Sequence, residues 1–325
     1  MLFELTNEER IAVGLTQVEE TWERMKLRHD IYLYFDNDRL VKRITVTQDS
    51  YHEIELNDLT ASNRTMLLPR TSKGKAKKLN YSAVQALGGI GVYFAFYNER
   101  VWIANYSTQT TFFETDFKVE RIVGLDGLKK WLGWWINDTT ESDQRDIELF
   151  RTAVRRHCKY KEGDYFAFRT GRRQFGFGRI LLDVSQIRND IKSGAIKEKH
   201  YGLMNLMGKA LIVKVYKKTS PTIEVDINEL KQCEAYCSTP IMDNVFYYGE
   251  YKIIGNQKLE PFELEFPISY SRSIDWSNPD IVYLQYGLIY KELPISKFSK
   301  YLRDPEASEY ISGNPYRNER IGFRG

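Results

Sequence analysis

Tyr160-Lys161-Glu162-Gly163-Asp164-Tyr165-Phe166-Ala167-Phe168, followed after a polar loop by Phe175-Gly176-Phe177-Gly178-Arg179-Ile180-Leu181-Leu182, is the stretch whose reading decides the fold class of the C-terminal half. A Gly-Asp pair launches one apolar run, residues 169–174 are polar and basic, and a second apolar run returns. Two such runs around turn residues predict a β-hairpin. In the returning run glycines alternate with aromatic residues, so one face of that strand is bare of side chains. Such a face admits close backbone approach or strong coiling, as at the corner of a small barrel.

Further strands are expected downstream over residues 210–216, 246–254 and 281–290. Upstream, Asp30-Ile31-Tyr32-Leu33-Tyr34-Phe35 runs through the turn cluster Asp36-Asn37-Asp38 into Leu40-Val41-Lys42-Arg43-Ile44-Thr45-Val46, a second hairpin pattern. Residues 91–97 and 101–104, around Asn98-Glu99-Arg100, repeat that form. Thr6 or Asn7 is placed to cap a short helix that ends near Gly14. Between residues 118 and 160 the character changes. Residues 125–136 read as a tryptophan-rich helical turn, and residues 142–154 carry Ile147, Phe150 and Val154 at helical spacing. These helices are expected to join two parts of the chain, with Trp131, Trp134 and Trp135 either locking the parts together or forming an exposed patch.

The expected fold is therefore α+β and mostly β. Two β-rich domains, residues 1–117 and 160–325, are joined by a helical linker, residues 118–159, and the C-terminal domain is a strongly coiled sheet or partial barrel. Composition agrees with this class. The chain has 325 residues, enough for two domains. Its 22 tyrosines favour half-buried sheet surfaces and suit protein interfaces. The net charge of +3 is too small to imply nucleic acid without a concentrated patch. Residues 1–10 are acidic and have no apolar segment of a secretory signal. No apolar run approaches the roughly 20 residues of a membrane helix. With only 3 cysteines a disulfide framework is not expected, and the cytoplasm is the expected location.

Residues that could carry chemistry are few and scattered. His29, His52, His157 and His200 form no HExxH or HxH arrangement. Cys233 and Cys237 would share one helical face, but no second ligand pair accompanies them. Gly88-Gly89-Ile90-Gly91 resembles a phosphate turn, yet a strand pattern follows it where a helix N-terminus would be needed. No catalytic residue, cofactor or metal is expected. The basic stretch over residues 64–78 has two readings. Arg70, Lys73, Lys75, Lys77 and Lys78 could follow a nucleic-acid backbone with Tyr81 stacking on a base, or they could be a solvated loop whose charge blocks edge pairing.

The hairpin over residues 160–181 resembles the opening of the bacterial immunity protein 26 family: a Gly-Asp turn, an apolar strand, a polar loop and a Gly-aromatic-Gly-Arg return. Pro240-Ile241-Met242-Asp243-Asn244, residues 249–255 and Glu265-Phe266-Pro267 are also similar, so the resemblance spans residues 160–290. It implies a mostly β domain from polymorphic toxin systems that neutralises a cognate protein toxin by direct binding. It also implies that Gly163, Asp164, Gly176 and Gly178 set backbone geometry. Arg179 is then either a partner anchor or the cross-hairpin partner of Asp164. Tyr247, Tyr248, Tyr251 and Trp276 are candidate anchors, or core residues on alternate strand faces. Inhibitors of basic nucleases are often acidic, and this chain is net basic. Acidic contributions would come from segments such as residues 53–58 and 260–265. An immunity-type binding protein is the leading expectation, with no membrane involved. Nucleic-acid binding through residues 64–78, or a small phosphoester or ester hydrolase, are the alternatives.

Overall fold

The computed structural model describes residues 3–68, 73–115, 122–197, 200–236, 238–264, 267–271, 280–294 and 296. The chain divides into two compact units, Met1–Arg156 and His157–Gly325.

The first unit opens with helix α1 (Asn7–Ala12), capped as its sequence implies. Thr6 accepts from the Glu9 amide while the Glu9 side chain accepts from the Thr6 amide. Strands β1 (Glu23–Arg28), β2 (Ile31–Asp36), β3 (Arg39–Val46) and β4 (Tyr51–Leu59) form an antiparallel meander. After an excursion through β5 (Met66–Leu67), β6 (Lys77–Lys78) and helix α2 (Tyr81–Gln85), the meander resumes with β7 (Ile90–Tyr97), β8 (Arg100–Asn105) and β9 (Thr110–Glu114). The sheet has seven strands in the order β1-β2-β3-β4-β7-β8-β9. The β7–β8 turn has Asn98 at φ 50° and Glu99 at φ 62°. Two successive left-handed residues are what a two-residue hairpin needs to match the strand twist.

Alternation of side chains separates the two faces of this sheet. The inner face carries Tyr32, Tyr34, Ile44, Val92, Phe94, Phe96, Val101 and Ile103, and packs on helices α3 (Gly124–Asn137) and α4 (Glu141–Arg151). The segment expected as a linker thus contributes both its helices to the core of the first unit. Trp131 and Trp135 are buried there, 5.0 Å apart, and Trp135 Nε1 donates to the Ala12 carbonyl at 2.8 Å. Trp134, on the opposite side of its helix, is exposed. Charge enters this core in compensated form. Glu53 accepts from Lys42 at 2.5 Å, Arg10 at 2.8 Å and Tyr51 at 2.5 Å, and those cations hold its carboxyl low although burial alone would raise it. On the outer face, Leu33, Phe35, Leu40, Ile54 and Leu56 are covered by Leu67 of β5, Val84 of α2 and Leu87 just beyond that helix.

The second unit is built on the hairpin β10 (Asp164–Gly171) and β11 (Gln174–Asp183). Helices α5 (Val184–Ser193) and α6 (Tyr201–Met204) lead to β12 (Ala210–Ser220), and helix α7 (Ile227–Gln232) leads to β13 (Thr239–Met242). A helical turn α8 (Asn244–Tyr247), strand β14 (Lys252–Asn256) and a 3-10 turn (Pro261–Leu264) follow. The antiparallel sheet has five strands in the order β13-β12-β11-β10-β14. It coils at two register shifts between β11 and β12, one of them at Gly176/Gly178, and remains open, with β13 and β14 as its ends. The bare glycine face of β11 has a specific occupant. The rings of Phe166 and Phe168 from β10 lie where Cβ atoms at Gly178 and Gly176 would be, and Gly178 also abuts the Lys214 carbonyl. Strands β15 (Pro267–Ser271), β16 (Ile281–Tyr286) and β17 (Ile289–Pro294) form a further antiparallel sheet.

Two strand expectations need correction. Residues 246–254 are not one strand: α8 occupies their first part and Gly249, at φ 77°, turns the chain into β14. Residues 281–290 are likewise two strands around Gly287, at φ 56°.

Candidate partner-binding surface

The sequence-derived site residues of the second unit do not converge on one surface. Arg179, in mid-β11, has no exposed side-chain area. Its Nη1 donates to Glu263 Oε1 at 2.5 Å, its Nη2 donates to the carbonyls of Gln257 and Lys258 at 2.7 and 3.1 Å, and its guanidinium lies 4.5 Å from the Tyr165 ring centre. Lys214 donates to the same Glu263 oxygen at 2.9 Å, and the Glu260 amide donates to the other at 3.0 Å. Burial alone would raise the Glu263 carboxyl. The Glu260 amide, Lys214 and Arg179 together hold it below the usual carboxylate range. Arg179 therefore ties β11 to the segment after β14, and a partner would not reach it. Asp164 instead accepts from the Lys161 amide and from Asn256.

Tyr251 belongs to the core. Its ring stacks on Phe166 and Phe168 at 5.3 and 5.0 Å and meets Phe246 edge-on at 5.5 Å, and burial pushes its phenol up to about 12. Tyr247 and Tyr248 lie on and beside the α8 turn, not on alternate faces of a strand. Tyr247 is exposed and stacks on exposed His157 at 4.1 Å, with Tyr248 at 5.2 Å. The Tyr247 carbonyl accepts from the Cys158 amide at 3.2 Å, and Tyr160 donates to Asp243 at 2.9 Å, so the turn is fixed from below. Met242, at the end of edge strand β13, leads into this turn and is exposed, as is Met207. Trp276 lies outside the described residues.

In the first unit, Lys73, Lys75, Lys77 and Lys78 are all exposed. Lys77 and Lys78 form β6, and with Asn80, Ser82, Ala83 and Ala86 they line a shallow depression beside α2. Arg64 turns away from the lysines, pairing with Glu23 at 2.6 Å and lying 4.1 Å from the Phe35 ring centre. Tyr81 is covered on one side by the Arg28 guanidinium at 4.4 Å. Arg70 lies outside the described residues.

The histidines do not gather. His29 is beside Asp30, His52 meets Tyr93 edge-on, His157 stacks on Tyr247, and His200 bonds Gln285 at 2.9 Å. Cys233, a free thiol, donates to the Glu229 carbonyl, and Cys237 lies outside the described residues. Among the described residues no three His, Cys, Asp or Glu side chains come together as a metal site. No described helix is long and apolar enough to cross a membrane.

Sequence reasoning missed Met207 and Met242 as surface residues, the stacking of His157 on Tyr247, and Glu263 as the counter-ion of Arg179. Glu263 stands 84 positions from Arg179, a separation at which spacing carries no signal. Met242 had one available clue, its place at the end of a short strand just before Asp243-Asn244, where an edge is expected to finish in a turn.

No curated protein and no solved structure matches the chain. The family model described as Immunity protein 26 matches residues 161–278, so the part of the chain that builds the five-stranded sheet of the second unit is similar to the immunity protein 26 family.

Proposed function

We propose that this chain is an immunity-type binding protein that neutralises a cognate bacterial toxin by direct contact, without catalysis of its own. The family match over residues 161–278 carries this reading. The surface chemistry of the second unit supports it. Tyr247 and His157 form a rigid stacked pair on a turn fixed by Tyr160, and a tyrosine held this way presents contact area with little entropy left to lose. Met242 and Met207 add flexible apolar side chains that adapt to a partner's relief. A toxin seated on this patch would have its working surface covered, which is inhibition by occlusion.

The test begins with capture by the tagged full-length chain from the native host at low and high salt. The captured protein is then expressed in a second bacterium with and without this chain. The expected result is growth arrest relieved by co-expression, with Tyr247→Ala weakening binding by about tenfold, the effect of removing a moderate hot spot. A captured protein that is harmless, or a toxicity this chain does not relieve, refutes the proposal.

One observation favours a second reading. Lys73, Lys75, Lys77 and Lys78 are exposed and form no ion pair among the described residues. Affinity for nucleic acid that falls steeply with salt, and falls again on neutralising these lysines, would move the function to the first unit.

A further inference from the structure

Four cations are buried among the described residues: Arg10, Lys42, Arg43 and Arg179. Arg10 and Lys42 share Glu53, and Arg179 has Glu263. Arg43 has no carboxylate partner among the described residues. It lies in one cross-strand row of the outer face between Leu33 and Ile54, both members of the apolar cluster there, and is 6% exposed. Its Nη1 donates to the Val84 carbonyl at 2.7 Å and its Nε has no partner. Burial disfavours its charge and no anion restores it. A desolvated guanidinium without a counter-ion costs several kcal/mol in general, and a fold that neutralises its other buried cations leaves this one for something else to neutralise.

The surroundings of Arg43 indicate what that is. Three groups are in electrostatic reach of it, Tyr106, Tyr81 and His52, and the two tyrosines are exposed, which places the guanidinium beneath surface rings. From Tyr106 an aromatic strip runs across the outer face. Tyr106 meets Tyr93 at 4.3 Å with the rings tilted by 33°, Tyr93 meets His52 edge-on at 5.8 Å, and Tyr97 stacks on Trp102 at 4.3 Å. Between the ring pairs the cross-strand positions are small: Ala95 opposes both His52 and Trp102, and Ala104 opposes Tyr93. The two alanines are buried between these rings, Arg28 lies on Tyr81, and Lys77 and Lys78 belong to the excursion that covers part of this face.

We propose that the outer face of the first unit's sheet docks an acidic segment of a protein partner, with one Asp or Glu side chain reaching between Tyr81 and Tyr106 to pair with Arg43. Apolar side chains flanking that acid rest against the exposed rings of Tyr97 and Tyr106. A carboxylate on a slim side chain reaches a guanidinium that is almost wholly covered, whereas a phosphodiester arrives between two bulky sugars. Tyr97 and Trp102 have already stacked on each other and Tyr93 is engaged by Tyr106 and His52, which leaves fewer free faces for bases, and this favours protein over a nucleic-acid strand. The inference goes beyond the toxin reading and does not depend on the second unit.

The experiment uses the full chain and fluorescent probes: a peptide of Glu-Ser-Leu repeats, its Gln and Lys counterparts, and an oligo(dT) strand, read by anisotropy. The Glu peptide is expected to bind at least about tenfold tighter than the Gln peptide, the ratio one charge-assisted pair supplies. Arg43→Met is expected to erase that ratio while the Tm holds or rises, because the Val84 carbonyl still accepts from the Leu87 amide and an unpaired buried charge is gone. Tyr97→Ser, at an exposed position, is expected to weaken the Glu peptide without changing the Tm, and it carries the test should Arg43→Met fail to fold. Preference for oligo(dT), equal binding of the Glu and Gln peptides, or a Glu preference that survives these variants overturns the proposal. So does a fall in Tm with loss of binding in Arg43→Met, which would make Arg43 a structural residue.

Discussion

Glu263→Gln removes the only carboxylate among the described residues that the buried Arg179 engages, and its cost can be worked from the geometry. Glu263 and Arg179 are both buried, and the carboxylate accepts from Arg179, Lys214 and the Glu260 amide. Glutamine keeps one carbonyl oxygen for Arg179 but brings no charge. The guanidinium is then left with the carbonyls of Gln257 and Lys258 and the ring of Tyr165. Breaking a buried pair from one side typically costs about 3–5 kcal/mol, and the retained hydrogen bond places this variant near ~3 kcal/mol. With a urea m-value of about 2 kcal/mol/M for a unit of this size, the midpoint should fall by roughly 1.5 M. Five of the 6 tryptophans, Trp22, Trp102, Trp131, Trp134 and Trp135, belong to the first unit, so tryptophan emission reports that unit while far-UV dichroism reports both. The expected result is an early dichroism transition with most of the emission transition in place. Arg179→Met combined with Glu263→Leu should recover to within about 1 kcal/mol of the parent, because both charges leave together. A cost under about 1 kcal/mol for Glu263→Gln, or a double variant no better than the single, would refute the view that Arg179 depends on Glu263 for its charge.

Other variants test the remaining parts of the fold. His52 is pushed down to about 4 by burial first and by Arg43 second, so the folded state holds it neutral. Its contribution should be complete above its unfolded pKa of about 6.5 and lost as pH falls toward 4, up to about 3 kcal/mol, and His52→Phe should flatten the pH dependence of the Tm in that window. Gly178→Ala would drive a methyl into the Phe166 ring and the Lys214 carbonyl, costing about 1–3 kcal/mol in the second unit only, measured by dichroism-monitored urea unfolding. Trp135→Ala, at a buried site with a hydrogen bond to Ala12, should cost about 3–5 kcal/mol in the emission-monitored transition, and a loss below 1 kcal/mol would contradict its place in the core.

Features closed by near neighbours were legible in the sequence. The helix cap at Thr6 or Asn7, the turn around Asn98-Glu99 and the alternation around Gly176 and Gly178 each depend on residues within a few positions, so their spacing states their geometry. The family likeness was legible for the same reason, since it rests on the local pattern of one hairpin. What failed was anything fixed by distant chain. Tyr247 and Tyr248 read as strand residues because apolar and aromatic neighbours surround them. Contacts of Phe246 with Phe166 and Tyr160, far back in the chain, hold the segment as a helical turn instead. Arg179 reads as a partner anchor or as the partner of Asp164 and Arg43 as an ordinary strand residue, and only the third dimension shows that the first meets Glu263 and the second no acid among the described residues.

The strand orders of the two sheets imply different histories on the ribosome. In the first unit every β-ladder joins strands consecutive along the chain except β4 with β7, and that gap is bridged by the small β5–β6–α2 excursion. Each strand therefore finds its neighbour soon after synthesis, at low loop-closure cost. In the second unit β14 pairs with β10, Asp164 against Asn256, so one side of β10 has no partner until the chain has grown by some ninety further residues. During that interval the apolar hairpin of β10 and β11 presents an open edge. The first unit is thus expected to be complete while the second still waits, and the vulnerable period of biosynthesis belongs to the half of the chain that resembles immunity protein 26.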